Sequence, residues 1–416
     1  MDQRDRLLEH ETDALPLGSL PAASPWTRFL RRKVLARLGA IGSGRLELRD
    51  ALGQHSFGRD GPVARIEVED LSAWSDMALG GTIGAAEAYM VGKWSTPDLT
   101  SLVRLFVANR AMMQDFEGGL ASMAAPLAKL GHLFRRNTRG QARRNIGAHY
   151  DLSNEFYALF LDRTMSYSSL IYPTQASTPD QAAVHKLDTI CRKLELQPED
   201  HLLEIGTGWG GLALHAARHY GCRVTTTTIS ARQRDHARAL VAAARLENRI
   251  SVIDRDYRDL DGQYDKLVSV EMIEAVGLGY LDTYFRACDA RLKPGGSMLL
   301  QSIVIADALY DEASRSVDFI QKYIFPGGAL PSLAVIRDTT ARVTALAVGG
   351  VEDIGAHYAR TLRDWRERFL AARASVRALG FSEDFIRMWE YYFAYCEGGF
   401  REGAISNVQV LFTKTA

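Results

Sequence analysis

The chain of 416 residues is long enough for two or three domains around a large buried core. Lys plus Arg and Asp plus Glu each total 50, so no global charge points to nucleic acid. Four scattered cysteines, Cys191, Cys222, Cys288 and Cys396, lack CxxC or other metal spacing and read as small apolar packing groups in a reducing compartment.

The N-terminal MDQRDRLLEHETD carries acids and no apolar signal-peptide core, and no apolar run approaches the roughly 20 residues of a membrane span. A cytoplasmic, soluble chain is expected, one that meets a membrane only from its surface. Residues 1–25 are polar, contain three prolines and predict a flexible N-terminus. WTRFLRRKVLARL (26–38) has helical period, with apolar Phe29, Leu30, Val34, Leu35 and Leu38 set among Arg28, Arg31, Arg32, Lys33 and Arg37. Such a basic amphipathic helix suits an anionic membrane surface or, equally, a solvated protein surface. Two short strands (44–52 and 63–68), separated by a Gly/Asp turn region, and a helix-rich stretch (70–113) complete a small N-terminal α+β domain, 26–125. A basic linker, 126–145, follows. Its Arg135, Arg136, Arg139, Arg143 and Arg144 are compatible with solvation and with lipid headgroups, worth about 1 kcal/mol each near anionic lipid.

From residue 146 to 416 strands and helices alternate. A helix (179–196) leads to a strand (202–205) and the turn GTGWGG. A helix (212–220) then ends at Gly221, and a strand (222–229) precedes Ser230, which caps the next helix (231–246). Strands at 250–254 and 267–272, a helix at 280–292, the turn Lys293-Pro294-Gly295-Gly296 and a strand at 297–305 continue the pattern. A helical insertion (314–325), a strand (344–354), helices at 356–379 and 383–400, and an alternating edge strand (405–414) end the chain. The expected class is α/β, a doubly wound parallel sheet with ligands at the carboxyl ends of its strands.

LLEIGTGWGG is where that ligand belongs. Gly206-x-Gly208-x-x-Gly211 satisfies the dinucleotide fingerprint, and Glu204-x-Gly206-x-Gly208-x-Gly210 equally resembles the first motif of class I S-adenosylmethionine (SAM) methyltransferases. A nicotinamide site wants an acid at the end of the next strand for the ribose, and here that strand ends Thr225-Thr226-Thr227-Thr228-Ile229-Ser230. NAD loses ground, and a SAM pocket lined by hydroxyls is required.

Together NIGAHYDLSNEFYALFLDRTMSYSS, LEIGTGWGG, TTISARQRDHA, DYRDL, EMIEAVG, KPGG, KYIFPGGALPS and YYFAYCEGGF resemble the cyclopropane-fatty-acyl-phospholipid synthase family, from residue 44 onward. The resemblance implies a class I SAM-dependent methyltransferase fold with a seven-stranded sheet and an antiparallel last strand. It also implies that the N-terminal domain, 26–125, helps engage lipid, that the protein is a homodimer peripheral to the inner face of the membrane, and that unsaturated phospholipid acyl chains are the substrate. Methyl transfer to the double bond would leave a carbocation, and proton removal would close a cyclopropane; failing closure, a methylene or methyl branch results.

Carried over by motif, Tyr167 and Ser168 would hold the methionine part of SAM, and Glu204, Gly206, Gly208 and Gly210 would form the turn. Thr228, Ile229 and Gln233 would serve the ribose, and Asp256, Tyr257 and Arg258 would border the adenine. The resemblance further implies a bicarbonate ion acting as base, held by Glu274, the backbone of Ile303, Tyr358 and the positions of Ser169 and Gln301. Ser169 stands where many members have cysteine and Gln301 where they have histidine; a hydroxyl and an amide N–H can still bind an anion but cannot share a proton as histidine does. Tyr323, Phe325 and Tyr392 are the aromatic candidates for the acyl tunnel and the cation.

Plainer readings stand beside these. Glu271 and Glu274 close one strand, and either could be a structural partner; the motif favours Glu274. His149 and Tyr150 fit a site wall or helix-entry packing, and the YYFAYC aromatics fit core spacing. His215 and His219 lack HExxH and a third ligand, so no metal is expected. A non-catalytic lipid- or SAM-binding module, a nicotinamide oxidoreductase and an RNA methyltransferase remain the alternatives from other classes.

Overall fold

The computed structural model describes residues 24–112 and 152–415. The proposed linker, its arginines, His149 and Tyr150 lie outside the described residues, as does most of the N-terminal segment.

Ser24 caps the first helix, Pro25–Leu38, through a 3.0 Å bond from the Thr27 N–H to its hydroxyl. Leu30, Val34 and Leu38, four apart, bury one stripe. Part of the basic face is committed inward: Arg31 makes a forked contact with buried Asp50 at 2.6 and 3.0 Å, and the Trp74 indole N–H donates to the same carboxylate at 3.1 Å. That helix covers a four-stranded sheet of order β2-β1-β3-β4. The strands are β1 (Arg45–Asp50), β2 (Gly53–Gly58), β3 (Val63–Val68) and β4 (Trp94–Ser95). Between the two strands expected from sequence lies a further one, β2, hairpin-paired to β1 from Asp50↔Gly53. GQHSFG is largely exposed on both faces and carries no apolar alternation to announce it. Helices Ala73–Met90 and Leu99–Ala108 close the domain.

The C-terminal part of the chain has a seven-stranded sheet of order β10-β11-β9-β8-β5-β6-β7. Strands β5 (His201–Ile205), β6 (Arg223–Thr227), β7 (Ile250–Ile253), β8 (Tyr264–Val270) and β9 (Leu292–Ile305) run parallel, while β11 (Ile405–Lys414) is antiparallel to β9 and to β10 (Leu346–Asp353). The chain's last strand is therefore interior, against the sequence expectation of an edge; exposed β10 takes the edge.

Around the sheet, the expected insertion helix is displaced. A helix occupies Asp307–Ala313, and only one π turn, Ile320–Ile324, falls in the expected stretch. Asp318 and Gln321 cap each other's backbone N–H groups and start that turn afresh. An unanticipated helix, Leu333–Val343, is capped by Ser332. Helix Glu383–Arg401 lies between the domains: buried Glu397 accepts from Thr100 of the N-terminal domain at 2.9 Å and pairs with Arg366 and Arg401 at 3.3 and 2.8 Å.

Candidate active site

The glycine turn follows from β5 stopping at Ile205. Gly206 has φ 103°, a left-handed conformation that glycine adopts without strain, and the N–H groups of Gly206 and Thr207 both donate to the Thr227 carbonyl at 3.0 Å. This stitches the turn to β6. Gly210 (φ 92°) lies under the turn, where a Cβ would meet that of Ala237 at 3.1 Å, and helix Gly211–His219 starts directly after it.

Glu204 is buried at the end of β5, where burial pushes its carboxyl up to about 8 against the pull of Thr226 and Lys186. Its Oε2 has no hydrogen-bond partner among the described residues. An orphaned acceptor beside an open glycine turn is what a bound nucleoside or amino-acid donor would satisfy, so these residues fit SAM. Lys186, on helix Pro179–Lys193, is fully enclosed and donates to Ser168 at 2.6 Å; burial lowers its pKa, opposed by Glu271, Asp162 and Glu204.

One cavity of about 1230 Å³ collects the expected cofactor residues. Tyr167, Ser168, Glu204, Gly206, Gly208, Thr228, Ile229, Gln233, Asp256, Tyr257 and Arg258 all line it, while Gly210 does not. Thr228 bonds Gln233 at 3.0 Å, and Asp256 holds Arg258 at 2.6 Å with the guanidinium 5.4 Å from the Tyr257 ring centroid. The same cavity continues past Phe325 and Tyr392 to Trp74, Met77, Leu102 and Phe106 of the N-terminal domain. Tyr323 is not on this wall; its hydroxyl donates to Glu87 across the domain junction. Tyr167 and Tyr392, which both line the cavity, share a 3.2 Å hydroxyl contact.

The five residues expected around an anion divide between two carboxylates. Glu271 Oε1 accepts from the Ser169 N–H at 2.9 Å, Gln301 Nε2 at 2.8 Å and Asn407 Nδ2 at 2.6 Å, and its Oε2 accepts from the Tyr358 hydroxyl at 2.9 Å. The Ser169 hydroxyl turns away to the Leu170 carbonyl. Glu274 Oε1 accepts from the Ile303 N–H at 2.6 Å and Ser302 at 3.0 Å; its Oε2 is buried with no partner among the described residues. Burial, then the neighbouring Glu271 charge, pushes Glu274 up to about 8. Glu271 is also raised by burial, against the Ser169 N–H, Gln301, Lys186 and Tyr358.

Ser169 and Gln301 have no exposed surface, and Glu271, not they, faces the cavity. A bicarbonate held by both would have to occupy the place this carboxylate fills, so the residues present do not fit that ion.

Sequence reasoning weighed Glu271 and set it aside; Lys186, Asn407 and Gln409 went unnoticed. Lys186 falls within the buried stripe Ala182, Ala183, Leu187, Ile190, where a lone cation is itself a signal. Among the described residues no group of three or more metal-ligating side chains occurs, and no helix is long and apolar enough to cross a membrane.

Sheet order and glycine turn define a class I SAM-dependent methyltransferase. The chain belongs to the mycolic acid cyclopropane synthetase family, whose profile matches residues 137–410. The tuberculostearic acid methyltransferase UfaA1 of Mycobacterium tuberculosis is 42% identical over 340 residues, 79% of this chain and 78% of that protein. The cyclopropane-fatty-acyl-phospholipid synthase of Escherichia coli is 36% identical over 357 residues, 84% and 88% of the two chains. The solved structure of mycolic acid cyclopropane synthase CmaA1 complexed with SAH and CTAB superposes with TM-score 0.62 and 31% identity, covering 65% of this chain and 98% of that one. The protein is a SAM-dependent methyltransferase that modifies lipid acyl chains.

Proposed function

We propose that the enzyme methylates the double bond of an unsaturated acyl chain while that chain is part of a membrane phospholipid, and that a cyclopropane is the main product. The observation that carries this is the apolar passage joining the N-terminal core to the space beside Gly206 and Glu274. An isolated alkene is a poor nucleophile, so position and exclusion of water must supply the rate. SAM supplies an electrophilic methyl group on a sulfonium. The glycine turn, Glu204, Tyr167, Ser168, Thr228, Ile229, Gln233 and the Asp256-Tyr257-Arg258 corner hold the donor. Tyr167, Phe325 and Tyr392 line the space where positive charge would develop, and a ring face turned to a desolvated cation is worth about 2 kcal/mol. Glu274 and Tyr358 border the same space.

Support for the intact phospholipid comes from the N-terminal half of the passage and from the likeness to the Escherichia coli phospholipid synthase. Mass spectrometry of lipids from a host lacking such enzymes tests it: acyl chains should gain one CH2 and lose a reducible double bond. Unchanged chains overturn it. A second reading, a methylene- or methyl-branched product, is favoured by the departures at Ser169 and Gln301 and by a relative named for methyl transfer rather than ring formation. Proton NMR of the product separates ring from branch. The proposal extends to a homodimer acting at the inner membrane face, tested by ultracentrifugation and vesicle flotation.

A further inference from the structure

We infer that the Glu271 carboxylate is the proton-accepting base of this reaction, taking the place of a bound bicarbonate, and that Gln301, Gln409 and Lys193 hold it in position through an amide chain of fixed direction. The inference rests on the methyl-transfer reading above.

Four donors converge on Glu271 from two strands, a helix and the loop at Ser169, and each can serve a carboxylate. The direction of one is dictated from outside. Lys193, partly exposed and paired with Glu352, can only donate, and its Nζ lies 2.5 Å from Gln409 Oε1. That turns Gln409 Nε2 inward, where it donates to Gln301 Oε1 at 2.9 Å. Gln301 must then offer Nε2 to Glu271. A protonated Glu271 that donated toward Gln301 would require both amides to flip, setting Gln409 Nε2 against the Lys193 ammonium. The cation at one end thus fixes Gln301 as a donor to Glu271 Oε1, so that oxygen stays an acceptor and a proton can be taken up only on Oε2, beside Tyr358. The groups facing Glu271 are Lys186, Tyr358, Gln301, Asn407, the Ser169 N–H and the neighbouring Glu274.

In the step itself the alkene π pair forms a C–C bond to the methyl carbon as the S–CH3 pair returns to sulfur, leaving a carbocation on the other alkene carbon. A C–H pair of the new methyl closes the third C–C bond, and its proton passes to Glu271, which becomes neutral and later yields it to water.

Turnover is read as SAH release with unsaturated phospholipid vesicles in CO2-free buffer, with and without added bicarbonate. Wild type should be indifferent to bicarbonate, and 13C-bicarbonate NMR of the lipid-free protein should show no binding. E271Q should bind SAM with wild-type affinity in calorimetry, confirming its fold, yet release SAH at least a hundredfold more slowly. E271D, which withdraws the carboxylate by one methylene, should fall between them. Carboxyl infrared difference spectra, wild type minus E271Q, should show an ionised group at neutral pH without lipid or SAM. K193M and Q409E should move the acidic limb of the pH profile upward, and K193R should restore it.

Bicarbonate stimulation of wild type, an active E271Q, or a neutral Glu271 in the infrared overturns the base assignment. Unchanged pH profiles in K193M and Q409E overturn the chain. A wild type that releases no SAH with any unsaturated vesicle instead defeats the functional reading, and the infrared and bicarbonate measurements still judge Glu271.

Discussion

The hydroxyl of Tyr358 donates to Oε2 of Glu271 at 2.9 Å, joining helix Gly355–Ala371 to the carboxyl end of β8. Burial and the Glu271 charge hold that phenol well above its usual range, so it acts as a permanent donor. Tyr358→Phe removes one of four bonds that favour the ionised carboxylate, each worth about 1.5–3 kcal/mol. Turnover should drop at least tenfold and the acidic limb should move upward, with SAM affinity preserved.

Gly206 should be intolerant of a side chain. A left-handed alanine costs roughly 1–2 kcal/mol, and its Cβ would sit 3.4 Å from the Met272 side chain. Gly206→Ala should weaken SAM binding about tenfold, measured by calorimetry, with smaller change in melting temperature.

The passage can be blocked far from the donor. Val107 lines it within the N-terminal domain, so Val107→Trp should leave SAM affinity intact while suppressing turnover on long acyl chains. Equal activity on vesicles would contradict the route through this domain.

Two buried carboxyls, Glu204 and Glu274, have ordinary values of 4.5 and are raised to about 8 in the fold. Between those limits the native state binds more protons than the unfolded chain, so stability falls as pH rises from 4.5 toward 8. Glu274→Gln removes one contribution. Its melting temperature relative to wild type should climb across that window, and a parallel pair of curves would show that Glu274 titrates normally.

The strand–turn–helix grammar around LLEIGTGWGG was legible because glycine, capping serine and apolar period all agree there. The sheet edge was not. In ISNVQVLFTK the alternation of Asn407 and Gln409 with Val408 and Val410 imitates a half-solvated strand, yet all four are buried. Their polar side chains face Glu271 and Gln301 rather than water. Tyr323 also misled: an aromatic two residues from Phe325 lies at the junction with Glu87, because side chains two apart on a helical turn leave on different sides. The choice between Glu271 and Glu274 depended on partners from β9, β11 and two helices, which no local pattern reports.

Glu271 itself adopts φ 48°, held by a 2.8 Å bond from its N–H to the Gln301 carbonyl. Replacing it by glycine would delete the carboxylate and simultaneously relax a contorted main chain, two changes of opposite sign. A melting curve for that variant could look benign while the chemistry was gone, so a thermal screen for tolerant positions would misfile this one as dispensable.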